Sequence, residues 1–475
     1  MPVTKVGTLF LSGEMKQNNY TAAFRLFLFA CIIFFPFARL FAQEYGKGLL
    51  LDSKFYAKAP RSARMMRGDL FDLPASVSLK EYAPTPQSQG SYSTCAGWAS
   101  AFYARTILAA IKYNWTKEEI DKNTFSPSFV YNLIRTNNRC SNGVSLFDAL
   151  EVLKNSGSSK MKDFGYDCDR KVSHSDIDNA SEFKIQDYRV VAERGDKSKF
   201  MKVKKSLSEH KPVLIAMNCP SSFNNAKDLW TPEPEDFTAS NGGHALTVIG
   251  YDDSTYGGAF QIINSWGTNW GNGGFTWVRY KDFEFFTVFA FELIDSIQTT
   301  TANLLSGTLK FRESDGDKMI TTFSDNMFHM DKSYQSGTKF ELLLSNDQPA
   351  YVYAFSSDLK NNVYTIFPQK PGISPLLPYK KNNIAIPDEN SYNMLDDVKG
   401  KSYYCFLYSK ESLDFPGILK QVKKGAGTFS QKVQRSLADK LITKDVKYID
   451  GGEIRFHASA TDKKVVAIIV EFDHQ

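Results

Sequence analysis

Cys95 stands at the end of a small, flexible loop, Gln89-Gly90-Ser91-Tyr92-Ser93-Thr94, and directly before an apolar run over 96–111. A thiol in the first turn of a helix feels the partial positive charge of unpaired N–H groups, which favours the thiolate. Such a nucleophile needs a base, and an imidazole is the usual one. Of the six histidines, His174, His210 and His474 lie in charged contexts, and His329 and His457 lie far along the chain. His244 differs: Asn241-Gly242-Gly243 leads it from a compact loop into an apolar run. Further on, Asn264-Ser265-Trp266-Gly267 closes a second apolar run. An amide there can accept the second imidazole N–H and fix the tautomer, while Trp266 shields that bond from water. The chemistry this set could do is acyl transfer, with Cys95 attacking, His244 moving the proton and Asn264 orienting the ring.

The elements that must position these groups follow from periodicity. Residues 96–111, AGWASAFYARTILAAI, are apolar on nearly every side and predict a helix buried all round. Ser126-Pro127 before SFVYNLIR reads as a capped helix start, and Ser145 opens an amphipathic helix that Gly157 stops. Glu118-Glu119 reads as a solvated helix start rather than an acid/base pair. From about 185 the pattern turns strand-like, with runs at 212–218, 244–252 and 259–266. Residues 75–297 are thus one unit with a helical front half and a β-rich back half. A linker over 298–306 separates it from a strand-rich unit, 307–475, with runs at 339–345, 350–356, 363–368, 402–409 and 465–472. One helix, 429–442, interrupts that second unit, and a sandwich or barrel suits it.

The bulk numbers narrow the partners. The 475 residues carry a formal charge of +5, but the first 42 hold +3 of it, leaving +2. No basic patch remains, so nucleic acid is not expected as a partner. Residues 24–42, FRLFLFACIIFFPFARLFA, read as the core of a signal peptide over 1–42, cut near Ala42. Pro36 and Arg39 leave the run short for a membrane span, so none is expected after cleavage. Met15 is an alternative start, and residues 43–74 read as a short, weakly patterned lead-in. The protein is therefore expected to be exported: periplasmic, at the cell surface or secreted. Export permits disulfides, and the five cysteines beyond residue 42 leave at least one unpaired in a single chain. Cys219 and Cys405 are expected to be unpaired structural residues, and Trp230 a packing one.

The order Cys, His, Asn with these local sequences resembles the papain-like cysteine peptidases, in a divergent bacterial branch. Gln89-Gly90-Ser91 ahead of Cys95, GGHALTVIGYDD at 242–253 and NSWGTNWGNGGF at 264–275 carry the resemblance, helped by Cys140-Ser141-Asn142-Gly143. It implies an α+β fold: a two-lobed domain with a helical lobe, a β-barrel-like lobe and a cleft between them, followed here by a mostly β, sandwich-like domain. It implies that Gln89 and the Cys95 N–H form the oxyanion hole, and that Ala216 and Ala245 border a substrate side-chain pocket. It implies a thiolate–imidazolium mechanism through an acyl-enzyme thioester on a polypeptide substrate, with no metal or organic cofactor. Three departures stand out. Ala96 follows the nucleophile where the family has Trp, with Trp98 two further on. Tyr92 replaces a cysteine, so the usual bridge cannot form, and Cys140–Cys168 is the alternative. Gly243 stands where Asp often precedes the histidine. The lead-in is too short for the family's long inhibitory pro-segment, so activation by removing one is not expected.

The second unit is similar to an uncharacterised β-rich accessory domain of bacterial exported proteins, through AYVYAFSSDLKNNVYTIFP and GKSYYCFLYSKESLD. A surface or envelope component is the partner this suggests, beside a purely stabilising role. The rival functions are a non-catalytic polypeptide- or envelope-binding protein on a peptidase scaffold, and a transpeptidase or amidase.

Overall fold

Cys95 begins a helical run of three consecutive segments, Cys95–Gly97, Trp98–Arg105 and Thr106–Tyr113, together α1. The middle segment is wound as a π-helix, a form that is rare and frequent at functional sites. α1 is apolar all round because it serves two cores. Cys95, Ala96, Ala101 and Ala104 pack with the helical lobe, and Trp98, Phe102, Tyr103 and Ile107 pack with the β lobe. α2 (Pro127–Ile134) is capped by Ser126, whose hydroxyl accepts from the Phe129 N–H, with proline in the first turn. α3 (Leu146–Asn155) is capped in the same way by Ser145. The computed structural model describes residues 45–63, 73–137, 140–295, 303–358, 362–379, 383–388 and 390–475. The segment read as a signal peptide lies outside them. No described helix is long and apolar enough to cross a membrane.

The β lobe is one sheet. Its strands are β1 (Ser76–Ser78), β2 (Asp187–Glu193), β3 (Val213–Cys219), β4 (Leu229–Trp230), β5 (Gly242–Asp252), β6 (Ala259–Ile263), β7 (Phe275–Arg279) and β8 (Thr287–Ile294). They run in the order β2-β8-β3-β5-β6-β7-β4, with β1 paired to β5. β5 therefore sits in the interior of the sheet, antiparallel to β3 and β6, and its burial on both faces matches its continuous apolar sequence. α4 (Lys199–Ser208) connects β2 to β3.

Residues beyond 303 form a sandwich of a six-stranded and a seven-stranded sheet around one core. Alternation is clear on Ala350–Ser357, where Val352 and Ala354 face that core. Tyr353 and Phe355 face two helices on the other side, Phe415–Lys424 and Phe429–Leu437. The sequence reading found one helix here. The first was missed because Phe415-Pro416-Gly417 resembles a turn, whereas Asp414 accepts from the Gly417 N–H and proline sits in the first turn. The first strand of the sandwich starts at Leu304, inside the stretch read as a linker, because Leu305 is a core residue.

Tyr45–Gln475 form a single compact unit. A buried knot ties the β lobe to the sandwich. Arg189 on β2 donates to Glu292 on β8 at 2.5 Å and to the Leu376 carbonyl at 3.3 Å. Ser206 donates to Glu292 at 2.8 Å, and the Tyr379 hydroxyl reaches both Glu292 and Ser206. Burial alone would raise the Glu292 carboxyl, but the charges of Arg189 and Lys211 with these hydrogen bonds hold it below its usual range.

Candidate active site

The structure brings Cys95, His244, Asn264, Gln89 and Trp266 together. α1 supplies Cys95 at its first position, and β5 supplies His244 near its start. The loop after β6 supplies Asn264 and Trp266. His244 Nε2 and Asn264 Oδ1 are 2.8 Å apart, so the ring donates from Nε2 and leaves Nδ1 without a partner. Asn264 is itself held: its Oδ1 accepts from the Ser265 N–H at 2.7 Å and its carbonyl from the Tyr103 hydroxyl at 2.9 Å. The Trp266 ring stacks on the imidazole with centroids 4.6 Å apart, which keeps water from the His244–Asn264 bond. Gln89 is wholly buried, its Oε1 accepting from Ser265 at 2.5 Å.

Part of the lead-in is held in place. Residues 45–51 cross this groove as a strap. The Gly48 and Leu49 N–H groups donate to the Gly243 carbonyl, at 3.2 and 3.0 Å, just before His244. On the opposite wall Val144 donates to the Gly48 carbonyl and accepts from Leu50, each at 3.0 Å. The Gly46 carbonyl accepts from Gln89 Nε2 at 3.1 Å and from Trp266 Nε1 at 3.2 Å. Tyr45 stacks on Trp266 with centroids 4.6 Å apart, and Lys47 donates to the Cys219 and Pro220 carbonyls at 3.3 Å. Leu49 is buried in the cluster that holds Cys95, Ala216 and Ala245. A short segment therefore covers the groove, because glycines on both sides let backbone meet backbone. A Cβ on Gly243 would lie 2.1 Å from the Leu49 carbonyl oxygen, and one on Gly48 would lie 2.3 Å from Ser93 Cβ. The departure at Gly243 is thus explained by the strap it accommodates.

Electrostatics follow from the cover. Cys95 and His244 are both wholly buried. Burial pushes the Cys95 thiol up to about 11, against the opposing pull of the Ala245, Ala96 and Gly48 N–H groups. Burial pushes His244 down to about 3; the Asn264 bond works against this and the Lys47 charge adds to it. Neutral thiol and neutral imidazole are the states favoured under the strap.

Residues 88–285 match the family model described as papain family cysteine protease. The matched segment is a papain-family one. The match supports a cysteine peptidase, and hence a hydrolase. Xylellain, a cysteine protease from Xylella fastidiosa, is 21% identical over 54% of this chain and 97% of its own, with a TM-score of 0.45. Procathepsin L 3 of the Tenebrio molitor larval midgut is 16% identical over 54% of this chain and 77% of its own, at 0.42. Bromelain from Ananas comosus, in complex with the E64 inhibitor, is 18% identical over 47% of this chain and 100% of its own, at 0.39.

Around the papain-family segment, other expectations meet the structure directly. Cys140 and Cys168 are disulfide-bonded, with Cα atoms 5.7 Å apart. Cys219 and Cys405 are free and buried, and Trp230 packs on Phe223 and Phe286. Glu119 belongs to a capping box with Thr116. Two contributors were not foreseen. Tyr166 bonds the Gln89 carbonyl at 2.9 Å and the Thr94 hydroxyl at 2.8 Å, which sequence distance hides. The strap left a signal in Gly46-Lys47-Gly48-Leu49-Leu50-Leu51, two glycines before an apolar run in a polar segment.

Proposed function

We propose that the protein is an exported cysteine peptidase, held latent by residues 45–51, that hydrolyses peptide bonds once the strap leaves the groove. The observation that carries this reading is the His244–Asn264 hydrogen bond stacked beneath Trp266, with Nδ1 left without a partner and Cys95 at the start of α1. With the groove open, water reaches both reactive groups, and burial no longer opposes the charged pair. His244 then takes the Cys95 proton. The thiolate attacks a peptide carbonyl, whose oxygen receives the Cys95 N–H and the Gln89 amide that now serves Gly46; one such donor is worth roughly 3–4 kcal/mol of barrier. His244 returns the proton to the departing amine, and water cleaves the thioester. Export rests on the residue pattern over 24–42 and agrees with the Cys140–Cys168 bond.

The test is intact mass after treatment with a peptidyl epoxide, on the full chain and on Leu49→Asp, which places a buried, unpaired carboxylate under the strap. A stoichiometric adduct at Cys95 is expected, fast in Leu49→Asp, slow in the parent and absent from Cys95→Ala. No adduct in folded, reduced Leu49→Asp at any pH would leave the groove a binding site without a nucleophile.

A further inference from the structure

A second site lies away from the nucleophile. β2 is separated from β5 in the sheet by β8 and β3. Along β2 there is a cavity of about 940 Å³, between the turn Glu193–Ser198 with the start of α4 and the sandwich residues Gln369–Ile373, Pro387 and Asp388. Its size is at the upper end of small-molecule sites, which run to roughly 1,000 Å³. Val191, Ala192, Met201, Ile373 and Pro387 give it apolar walls. Six cationic side chains line it against three carboxylates, and the carboxylates are engaged. Glu193 pairs with Arg61 at 3.3 Å, Asp196 with Lys202, and Asp388 accepts from the Asn390 N–H at 2.9 Å. Arg189 is neutralised from behind by Glu292. That leaves Arg194, Lys197 and Lys370, which have no ion pair or side-chain hydrogen bond among the described residues. Asp388 keeps its charge, because its partner is a neutral backbone N–H, so the three cations set against it leave a net charge of +2 at one partly apolar cavity, which favours an anion.

We propose that this cavity binds a small soluble anionic amphiphile, a phosphate or carboxylate head on an apolar body, with the head among Arg194, Lys197 and Lys370 and the body along Val191, Ala192 and Ile373. The walls come from both the β lobe and the sandwich, so the ligand would bridge them. The site is independent of the peptidase reading, since none of its residues touches Cys95 or His244.

The test is titration calorimetry of the full chain with decyl phosphate below its micelle concentration. Inorganic phosphate, decyl glucoside and phosphatidic-acid vesicles are the comparison arms. One saturable site for decyl phosphate is expected, at least tenfold tighter than for inorganic phosphate or the glucoside, and weakened by salt. Arg194→Glu with Lys370→Glu, both at the rim, should weaken it at least tenfold with an unchanged melting temperature. Met201→Trp, which fills the apolar wall, should weaken it while leaving the salt dependence in place. Equal binding of the glucoside, an unchanged affinity in the charge-reversed variant, or binding to vesicles alone would overturn the proposal.

Discussion

An alanine at position 243 would set its Cβ 2.1 Å from the Leu49 carbonyl oxygen and 2.8 Å from Leu51 Cγ, contacts that only the strap supplies. The strap is held by seven hydrogen bonds to the groove from Gly46, Gly48, Leu49 and Leu50, at about 1 kcal/mol each, and by Leu49 burial at about 2 kcal/mol. Ordering its backbone costs roughly 1–2 kcal/mol per residue, which nearly cancels those gains. The cover is therefore closed by a few kcal/mol at most. A clash of this kind costs about 1–3 kcal/mol, so Gly243→Ala should raise the open fraction about thirtyfold. Gly143→Ala attacks the same strap from the other wall, with a Cβ 2.4 Å from the Gly48 carbonyl oxygen, and should act alike. The assay is the rate of alkylation of Cys95 by iodoacetamide in reducing buffer, read by peptide mass. Cys219, which burial pushes up to about 12, and Cys405, pushed up by the same cause, serve as internal controls. An unchanged Cys95 rate in both variants would refute the reasoning. Acceleration of all three thiols together would refute it as well, by showing unfolding rather than uncovering.

Acid should loosen the strap. His244 is held at about 3 against an ordinary 6.5, so between those values the uncovered form binds a proton that the covered form does not. The His244 contribution is fully present above about pH 6.5 and is lost as pH falls towards 3, while Cys95, held at about 11 against an ordinary 9.0, weakens the cover again above about pH 9. Faster amide exchange at Gly48 and Leu49 at pH 4 than at pH 7, after correction for intrinsic rates, would check the acid limb. Asn264→Ala in the Leu49→Asp background removes the bond that raises the His244 pKa and leaves Nε2 unpaired, a loss of about 1–3 kcal/mol. A fall in kcat/KM of about 10–100-fold is expected, with the basic limb of the pH profile moved to lower pH. Tyr379→Phe takes one hydroxyl from the Glu292 knot, worth about 1.5–3 kcal/mol as a bond to a charged group, and should lower the melting temperature by a few degrees. Two separate calorimetric transitions, with only the later one shifted, would contradict the knot's role in joining the two parts.

What the chain discloses by itself depends on how local the signal is. The helix caps at Ser126 and Ser145, the buried helix after Cys95 and the strand carrying His244 are written in adjacent residues, and all four stand in the structure where the pattern places them. Gln89, His244 and Asn264 were legible because each lies in a short run of unusual composition. Tyr166 was not, since its partnership with Gln89 and Thr94 depends on how distant loops fold back. The Arg189–Glu292–Tyr379 knot was hidden for the same reason: its members come from β2, β8 and a loop of the sandwich, and none carries a motif. The strap's hold on the groove was not legible because it comes from backbone meeting backbone at Gly48, Gly143 and Gly243, which leaves no side-chain pattern to read.

That bareness has an evolutionary side. Gly46 lies against the Tyr92 carbonyl, Gly48 against Ser93, Gly143 against the Gly48 carbonyl and Gly243 against that of Leu49. Gly46 and Gly48 make room for the groove's Tyr92 and Ser93, and Gly143 and Gly243 make room for the strap. A lineage that keeps its cover cannot change any one of them alone without disturbing the fit. A lineage that loses the cover frees Gly143 and Gly243 at once to take side chains. The proposed latency therefore depends on four positions together, and losing the fit at one would release it.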